Sequence, residues 1–494
     1  MNNGYLKVAA AIPEVFAGGV FFNAQSIKKL IVDLNAQGVE IALFPEMCLY
    51  GAANSSVFAI NSAVTECEKA LLEIADFTKN RKVLCGIGLP IRVEDKILNC
   101  IAMVGMGKVW SIIYKNQNNQ KMRFGEITLN DYMIPFSDTA IIRGVGMLPV
   151  NLAIIIGSTL YPTDNSANII LNPYAADLSF KDCHTDQIRI LSSMPHRAII
   201  SVSGAIYNSP FPQKNAVIAE CGEVLSTLNI QGYITADIDV ERIIGIRTLS
   251  NLSATYDNTF MEIPIEENSP ISVLRQYPRL PYTAMADFRC IYDKLIDALY
   301  SVLKNTKKRI VLEQKQHFWL LVSVIWDMCK KYYISPNEIA VLLFDETKSS
   351  NDILNTFGFY IETLPQENIS DNLKNAVILD WAQKNNAVLL GSLNRTDYLM
   401  HNDKNNNGVS ILINFNKTFL FALLESRRKY DQDWTDILSA NQIDVKDILI
   451  DFFIFHYVDN GLSAEKVRII AQKTFDDLND SFIKEQWNHL IDRL

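Results

Sequence analysis

The chain has 494 residues, 49% of them apolar and 20% charged, with a formal net charge of −9 and a pI near 5.3. That length asks for two or three domains with large cores, and the composition excludes an intrinsically disordered chain. The acidic balance and the shortness of the basic clusters Lys28-Lys29, Lys307-Lys308-Arg309 and Arg427-Arg428-Lys429 speak against nucleic acid or an anionic membrane as a partner. The opening MNNGYLKVAAAIPEV lacks the basic and then apolar pattern of a secretory signal, and no run approaches the roughly 18 apolar residues that a membrane helix needs. The eight cysteines are scattered without a CxxC, and the six histidines have no metal-ligand spacing, so a cytoplasmic protein with reduced thiols is expected.

In chain order, Tyr5 to Ile12 reads as a buried strand bounded by Pro13. Ile27, Leu30, Ile31 and Leu34 then give the i, i+3, i+4, i+7 stripe of an amphipathic helix over 24–37, closed by Gly38. Val39 to Phe44 is a second buried strand, ending at Pro45-Glu46. Strands at 83–88, 98–104 and 109–114 follow, the last two joined at Gly105-Met106-Gly107. Strands at 151–156 and 168–171, a helix at 184–194, a strand at 198–202 and a hairpin turning near Cys221-Gly222 complete the first half. The proline-bearing stretch 255–282 has no period and reads as a linker. Beyond it come helices at 284–304 and 317–331, a strand at 339–344, a helix near 350–356 and a strand at 358–363. A helix at 371–384, a strand at 387–390 and a helical C-terminal stretch from Trp434 complete the chain, again α/β with an open parallel sheet.

The most informative local signal is Leu43-Phe44-Pro45-Glu46-Met47-Cys48-Leu49-Tyr50-Gly51. A buried strand delivers a carboxylate to its end, where loops gather and a desolvated Glu can serve as a base. This stretch resembles the F-P-E motif of the nitrilase superfamily, and with KVAAAIPEV, FNAQSIKKLI and GIGLPIRVEDKILNCIAMVGMGKVWSIIYK it is similar to the glutaminase part of glutamine-dependent NAD synthetases. The resemblance implies a Glu, Lys and Cys set in which Glu is the base, Lys steadies the oxyanion and Cys forms a thioester with the amide carbon. Glu46 matches the base, and Lys115, at the end of Ser111-Ile112-Ile113-Tyr114, matches the lysine.

Departures from the family pattern sit at the chemistry. Ala52 follows Gly51 where the family has tyrosine, and the segment Asn116 to Phe124 has lost the aromatic and acidic residues that shape a glutamine pocket. The segment matching the nucleophile's is Ile154-Ile155-Ile156-Gly157-Ser158-Thr159-Leu160, with Gly157 in place of the cysteine. Glycine cannot form a thioester, Ser158 is one position off and would point away, and Cys48, Cys183 and Cys221 read as loop thiols or core filler.

The second half resembles the family's synthetase part, which uses ATP and Mg²⁺ to activate nicotinate-adenine dinucleotide for amidation. The family's S-G-G-x-D-S phosphate loop is replaced by Glu313-Gln314-Lys315-Gln316-His317-Phe318-Trp319, a run without glycine. Leu390 to Tyr398 resembles a later family segment, implying nucleotide contacts from Asn394 and Thr396 and a metal role for Asp397. Asn416-Lys417-Thr418 resembles the K-T pair, implying a nucleotide-facing Lys417, and DFFIFHYVDNGLSAEKVRIIAQKTF resembles the C-terminal helical segment.

The expected fold is therefore α/β: a nitrilase-like α-β-β-α sandwich over 1–255, a linker at 256–283, and an open parallel-sheet synthetase-like domain with a helical C-terminus over 284–494. The expected function is that of an NAD synthetase relative that has lost catalysis, with ATP and Mg²⁺ as cofactors only if the second site survives. The resemblance implies a homo-oligomer, or a hetero-oligomer with an active synthetase. Two alternatives stand beside it: a working synthetase that uses ammonia or a modified site, and an amidase that pairs Glu46 and Lys115 with a new nucleophile.

Overall fold

Alternation along the strands decides the layers. The computed structural model describes residues 4–53, 61–116, 125–138, 141–145, 150–157, 167–177, 183–206, 211–250, 260–264, 275–283, 286–306, 309–313, 316–343, 353–363, 371–400, 408–430, 434 and 443–494. They form two compact units, Met1–Arg275 with Asp459–Leu462, and Gln276–Val458 with Ser463–Leu494.

The first unit contains β1 (Tyr5–Ile12), α1 (Val20–Ala36), β2 (Ile41–Leu43), α2 (Asn61–Phe77), β3 (Leu84–Val93), β4 (Lys96–Gly105), β5 (Lys108–Tyr114), β6 (Gly125–Leu129), β7 (Tyr132–Ser137) and β8 (Ile141–Val145). It continues with β9 (Val150–Ile154), β10 (Ile169–Tyr174), α3 (His184–Ser193), β11 (Ala198–Ser203), β12 (Asn215–Glu220), β13 (Glu223–Leu228), β14 (Gly232–Asp239), α4 (Val240–Leu249) and β15 (Phe260–Pro264). One eight-stranded sheet has the order β14-β1-β2-β3-β4-β5-β7-β6, and a seven-stranded sheet has the order β13-β12-β11-β10-β9-β8-β15.

Successive side chains of a strand point to opposite faces, so each strand feeds two cores. Leu6, Val8, Ala10 and Ile12 of β1 join Leu152, Leu171, Ile200 and Ile218 in the core between the sheets. Ala9 and Ala11 face the other way, into the core that holds Ile27, Ile31 and Leu34 of α1 and Leu71 and Ile74 of α2. On the far side, Ile170, Ile199 and Val217 meet Ile188 of α3. The result is the expected α-β-β-α sandwich.

Element bounds moved at several places. The strand expected at 39–44 is only Ile41–Leu43, because the backbone of Phe44 and Leu49 turns to bond Gly86 and Gly88 of β3. Met106 and Gly107 both take positive φ, the geometry of a tight hairpin turn between β4 and β5. The stretch that read as a linker contributes β15, which pairs in parallel with β8 at the sheet edge.

The second unit contains α5 (Phe288–Thr306), β16 (Arg309–Glu313), α6 (Phe318–Tyr332), β17 (Ile339–Leu343), β18 (Tyr360–Thr363), α7 (Asp371–Lys384), β19 (Ala387–Leu390), α8 (Arg395–Leu399), α9 (Lys417–Tyr430), α10 (Val445–Phe453), α11 (Ala464–Thr474) and α12 (Asp480–Ile491). Its four strands are all parallel, in the order β18-β17-β16-β19. Ile310 and Leu312 face the core built with α5, α6 and α9, while Val311 faces Ile378, Trp381 and Ala382 of α7. A parallel sheet covered on both faces reads as continuous apolar runs, as these strands do. Among the described residues no helix is long and apolar enough to cross a membrane.

Leu152 lies fully buried between the two sheets. Leu152→Ala is expected to cost about 2–5 kcal/mol through lost burial and the cavity left behind. Urea unfolding monitored by circular dichroism measures it.

Candidate functional site

In the first unit three strand ends converge. Glu46 follows β2, Lys115 follows β5, and Gly157 follows β9 of the facing sheet. The turn carrying Glu46 is held by close backbone packing. Met47 takes φ 56, and Cys48 N and Gly51 N donate to Pro45 O and Met47 O. A Cβ at Gly88 of β3 would lie 2.3 Å from both Met47 N and Pro45 O, so only glycine lets this turn rest on the sheet. Gly51 has φ +88, and a Cβ there would lie 2.2 Å from Phe16 O. Asn23 of α1, fully buried, accepts from Phe16 N and donates to Phe16 O and Leu49 O, tying the turn to α1.

The Glu46 side chain is therefore driven inward and is 1% exposed. Its Oε1 accepts from Lys115 Nζ at 2.7 Å and from Asn99 Nδ2 at 2.5 Å. Lys115 N in turn donates to Asn99 O at 2.7 Å. Glu46 Oε2 and Asn99 Oδ1 are buried without a hydrogen-bond partner. A Cβ built on Gly157 would stand 3.1 Å from Lys115 Cε and 3.3 Å from Nζ, so residue 157 aims at the lysine ammonium. Gly157 has φ +122, a conformation in which a side chain is strained. Its carbonyl accepts from Asn172 Nδ2 at 2.9 Å, and Asn172 Oδ1 accepts from Ser201 Oγ at 2.7 Å.

The structure thus brings Glu46, Lys115 and Gly157 together. It does not bring a thiol to them. Cys48 Sγ turns toward Gly88 O at 3.7 Å, and burial pushes its thiol up to about 12, far from a reactive thiolate. Cys183 is exposed at the start of α3, and Cys221 is half-buried in the turn between β12 and β13. Ser158, Thr159, Leu160 and the segment 117–124 lie outside the described residues. Asn99, Asn172 and Asn23 were not singled out in the sequence. A lone asparagine in an apolar run is the signal that marks them, and its meaning depends on distant partners.

In the second unit β16 and β19 are parallel neighbours, so the connections leaving their C-terminal ends lie side by side. This puts Gln316 and His317 against Asn394, Asp397 and Lys417. His317 is buried and takes φ 61 at the start of α6. Burial, with the Lys417 charge nearby, lowers its pKa to about 3. It is neutral, and its Nε2 accepts from Asn394 Nδ2 at 3.2 Å. Asn394, fully buried, caps α8 by accepting from Asp397 N at 2.9 Å and donates to Asp397 Oδ2 at 2.6 Å. Thr396 donates to Asp451 Oδ1 at 2.5 Å and accepts from Lys417 N at 2.9 Å. Asn394 and Thr396 thus spend these polar atoms on the local structure.

Asp451 of α10 also accepts from Thr418 N, Thr418 Oγ1 and Asn416 Nδ2, at 2.8, 2.6 and 3.3 Å. Burial pushes its carboxyl above the ordinary range, and these hydrogen bonds oppose that rise. Lys417 Nζ pairs with Asp447 Oδ2 at 2.8 Å. The amide of Gln316 lies between Asp397 and Lys417, 3.3 Å from Asp397 Oδ2 and 3.0 Å from Lys417 Nζ. With nitrogen toward the carboxylate and oxygen toward the ammonium it donates to one and accepts from the other; the reverse orientation would set like against like.

The described residues here, taken by themselves, offer no cradle for a nucleotide phosphate with Mg²⁺. The described part of the β16–α6 connection is two bulky residues in place of a glycine cradle, and Asp397 Oδ2 is already engaged by Asn394 and Gln316. Among the described residues no group of three or more His, Cys, Asp or Glu could hold a metal. The side chain of Glu313, with Gln314 and Lys315, lies outside them.

No protein-family profile matches the chain. A glutamine-dependent NAD(+) synthetase of Mycobacterium bovis is 25% identical over 115 residues, 23% of this chain and 17% of that protein, so the match spans under a fifth of the relative's length. The crystal structure of a glutamine-dependent NAD(+) synthetase from Cytophaga hutchinsonii aligns over 98% of this chain and 91% of its own, at 14% identity and a TM-score of 0.42. A mutant of the Nesterenkonia AN1 amidase, from the nitrilase superfamily, aligns over 50% of this chain and 97% of its own, at 12% identity and a TM-score of 0.39. In sequence the chain is similar to glutamine-dependent NAD synthetases, which bears out the resemblance drawn from its motifs.

Two outcomes follow from the charges. Lys115→Met leaves Glu46 as a buried carboxylate without its counter-charge and is expected to cost about 3 kcal/mol, the low end for such a break because Lys115 is 25% exposed. Adding Glu46→Gln recovers most of that loss, and a double-mutant cycle in urea checks the coupling. His317 has a folded pKa of about 3, below its unfolded value near 6.5, so the unfolded chain binds the extra proton between those values. Its contribution is full above pH 6.5 and is lost as pH falls toward 3, by up to about 1.4 kcal/mol per pH unit. Comparing His317→Gln with the parent at pH 7.5 and pH 4.5 is expected to show a smaller loss in the variant, by roughly 2 kcal/mol.

Proposed function

We propose that this chain is a non-catalytic relative of the glutamine-dependent NAD synthetases, one that keeps the two-unit scaffold and acts by binding or assembly. The observation that carries this reading is Gly157. Its Cβ direction ends 3.3 Å from Lys115 Nζ, beside Glu46, and among the described residues no nucleophilic side chain stands there to attack an amide carbon. A base and an oxyanion-steadying ammonium cannot form a thioester without a nucleophile. The second unit supports the same reading, because Gln316 and His317 take the place of a phosphate cradle.

Such a body would serve in the cytoplasm as a homo-oligomer or as a companion of an active synthetase. The experiment is NAD formation by the full chain with nicotinate-adenine dinucleotide, ATP and Mg²⁺, with glutamine in one arm and ammonium in the other. No NAD is expected in either arm, measured against an active synthetase under the same conditions. Product with ammonium alone would overturn the reading of the second unit. Product with glutamine would overturn the reading of both.

A further inference from the structure

Gln316 stands out in the second unit as a side chain that behaves like a ligand. It is exposed at its own position, yet its amide reaches between Asp397 Oδ2 and Lys417 Nζ, at 3.3 and 3.0 Å. The slot is built from the rest of the unit. Asp397 is fixed by Asn394 Nδ2 at 2.6 Å, and Asn394 is braced by His317. Lys417 is fixed by Asp447 at 2.8 Å, and its backbone N–H by Thr396 at 2.9 Å. A carboxylate and an ammonium held apart in this way are complementary to one group that donates from nitrogen and accepts at oxygen, a carboxamide.

We infer that Gln316 is a built-in ligand, its carboxamide closing a slot between Asp397 and Lys417 that accepts a free primary carboxamide once the side chain is removed. The inference stands on the geometry of the second unit alone and holds whether or not the first unit retains chemistry. An intramolecular group has a high effective concentration, so a weak contact suffices to keep the slot occupied. A carboxylate in the same place would repel Asp397, and a tertiary amide would lack the donor.

The test uses the full chain, with Gln316→Gly and Gln316→Ala, and acetamide as the probe; dimethylacetamide and acetate are the controls. At saturating acetamide the variants are expected to gain about 2–4 °C in Tm over the dimethylacetamide and acetate arms. The parent, whose bulk response to the three solutes serves as the baseline, is expected to lack this acetamide-specific gain. A crystal of the glycine variant grown with acetamide would show the amide between Asp397 and Lys417. Equal responses of parent and variants, no preference for acetamide, or a direct Asp397–Lys417 contact filling the slot would overturn the inference. Catalytic silence of the first unit is read separately by the NAD assay, so the two readings fail independently.

Discussion

Glu46 is a carboxylate with almost no access to water, and the first unit is arranged around satisfying it. Burying a lone carboxylate is costly, and a partner charge with hydrogen bonds offsets the penalty only if the geometry is right. Lys115 and Asn99 supply charge and hydrogen bond to one oxygen. The remaining constraint falls on the backbone. The turn must approach β3 so closely that residue 88 has no side chain, must bend back at Met47, and must be tied to α1 through Asn23. None of these features depends on turnover. A protein that no longer hydrolysed an amide would still need all of them to fold, because removing one partner would strand a buried charge.

The two sites are organised in opposite ways. The first is open: Lys115 faces the backbone of Gly157, and among the described residues Glu46 Oε2 has no hydrogen-bond partner. At the second, Gln316 and His317 engage Asp397 and Asn394. These contacts also tie the start of α6 to α8 and α9, beside the Asp451 network. That network draws Thr396, Asn416 and Thr418 onto one buried acid, so these residues brace α8, α9 and α10 independently of the β16–α6 connection.

Legibility of the sequence followed locality. Strands such as Tyr5–Ile12 and Ala387–Leu390, and the helix Val20–Ala36, were readable because period and breakers lie within the element itself. The strand Phe260–Pro264 was not, because it is an edge strand whose place is set by pairing with β8, over a hundred residues earlier. Glu46, Lys115 and Gly157 were legible through a resemblance and not through pattern. A glutamate after a short apolar run has no intrinsic mark of a site. Asn99 and Asn172 carried only the mark of an asparagine in an apolar run, and each gains meaning from a residue outside its own strand. The run 313–319 revealed that glycine was missing, but only the parallel pairing of β16 with β19 shows that its side chains reach Asp397 and Lys417.

The conformation at residue 157 bears on how far the first site stands from chemistry. At φ +122 a glycine is at ease, while any residue with a Cβ bears a strain on the order of 1–3 kcal/mol. The backbone there is held by Asn172 from one side, and Asn172 is held by Ser201, so the strain cannot be relieved without moving a buried hydrogen-bonded chain. A thiol introduced at residue 157 by substitution alone would therefore sit on a strained backbone. The carbonyl hydrogen bond that fixes Gly157 and the ion pair that fixes Lys115 hold the two facing strand ends independently of each other. The form of the site therefore rests on contacts that need no side chain at residue 157.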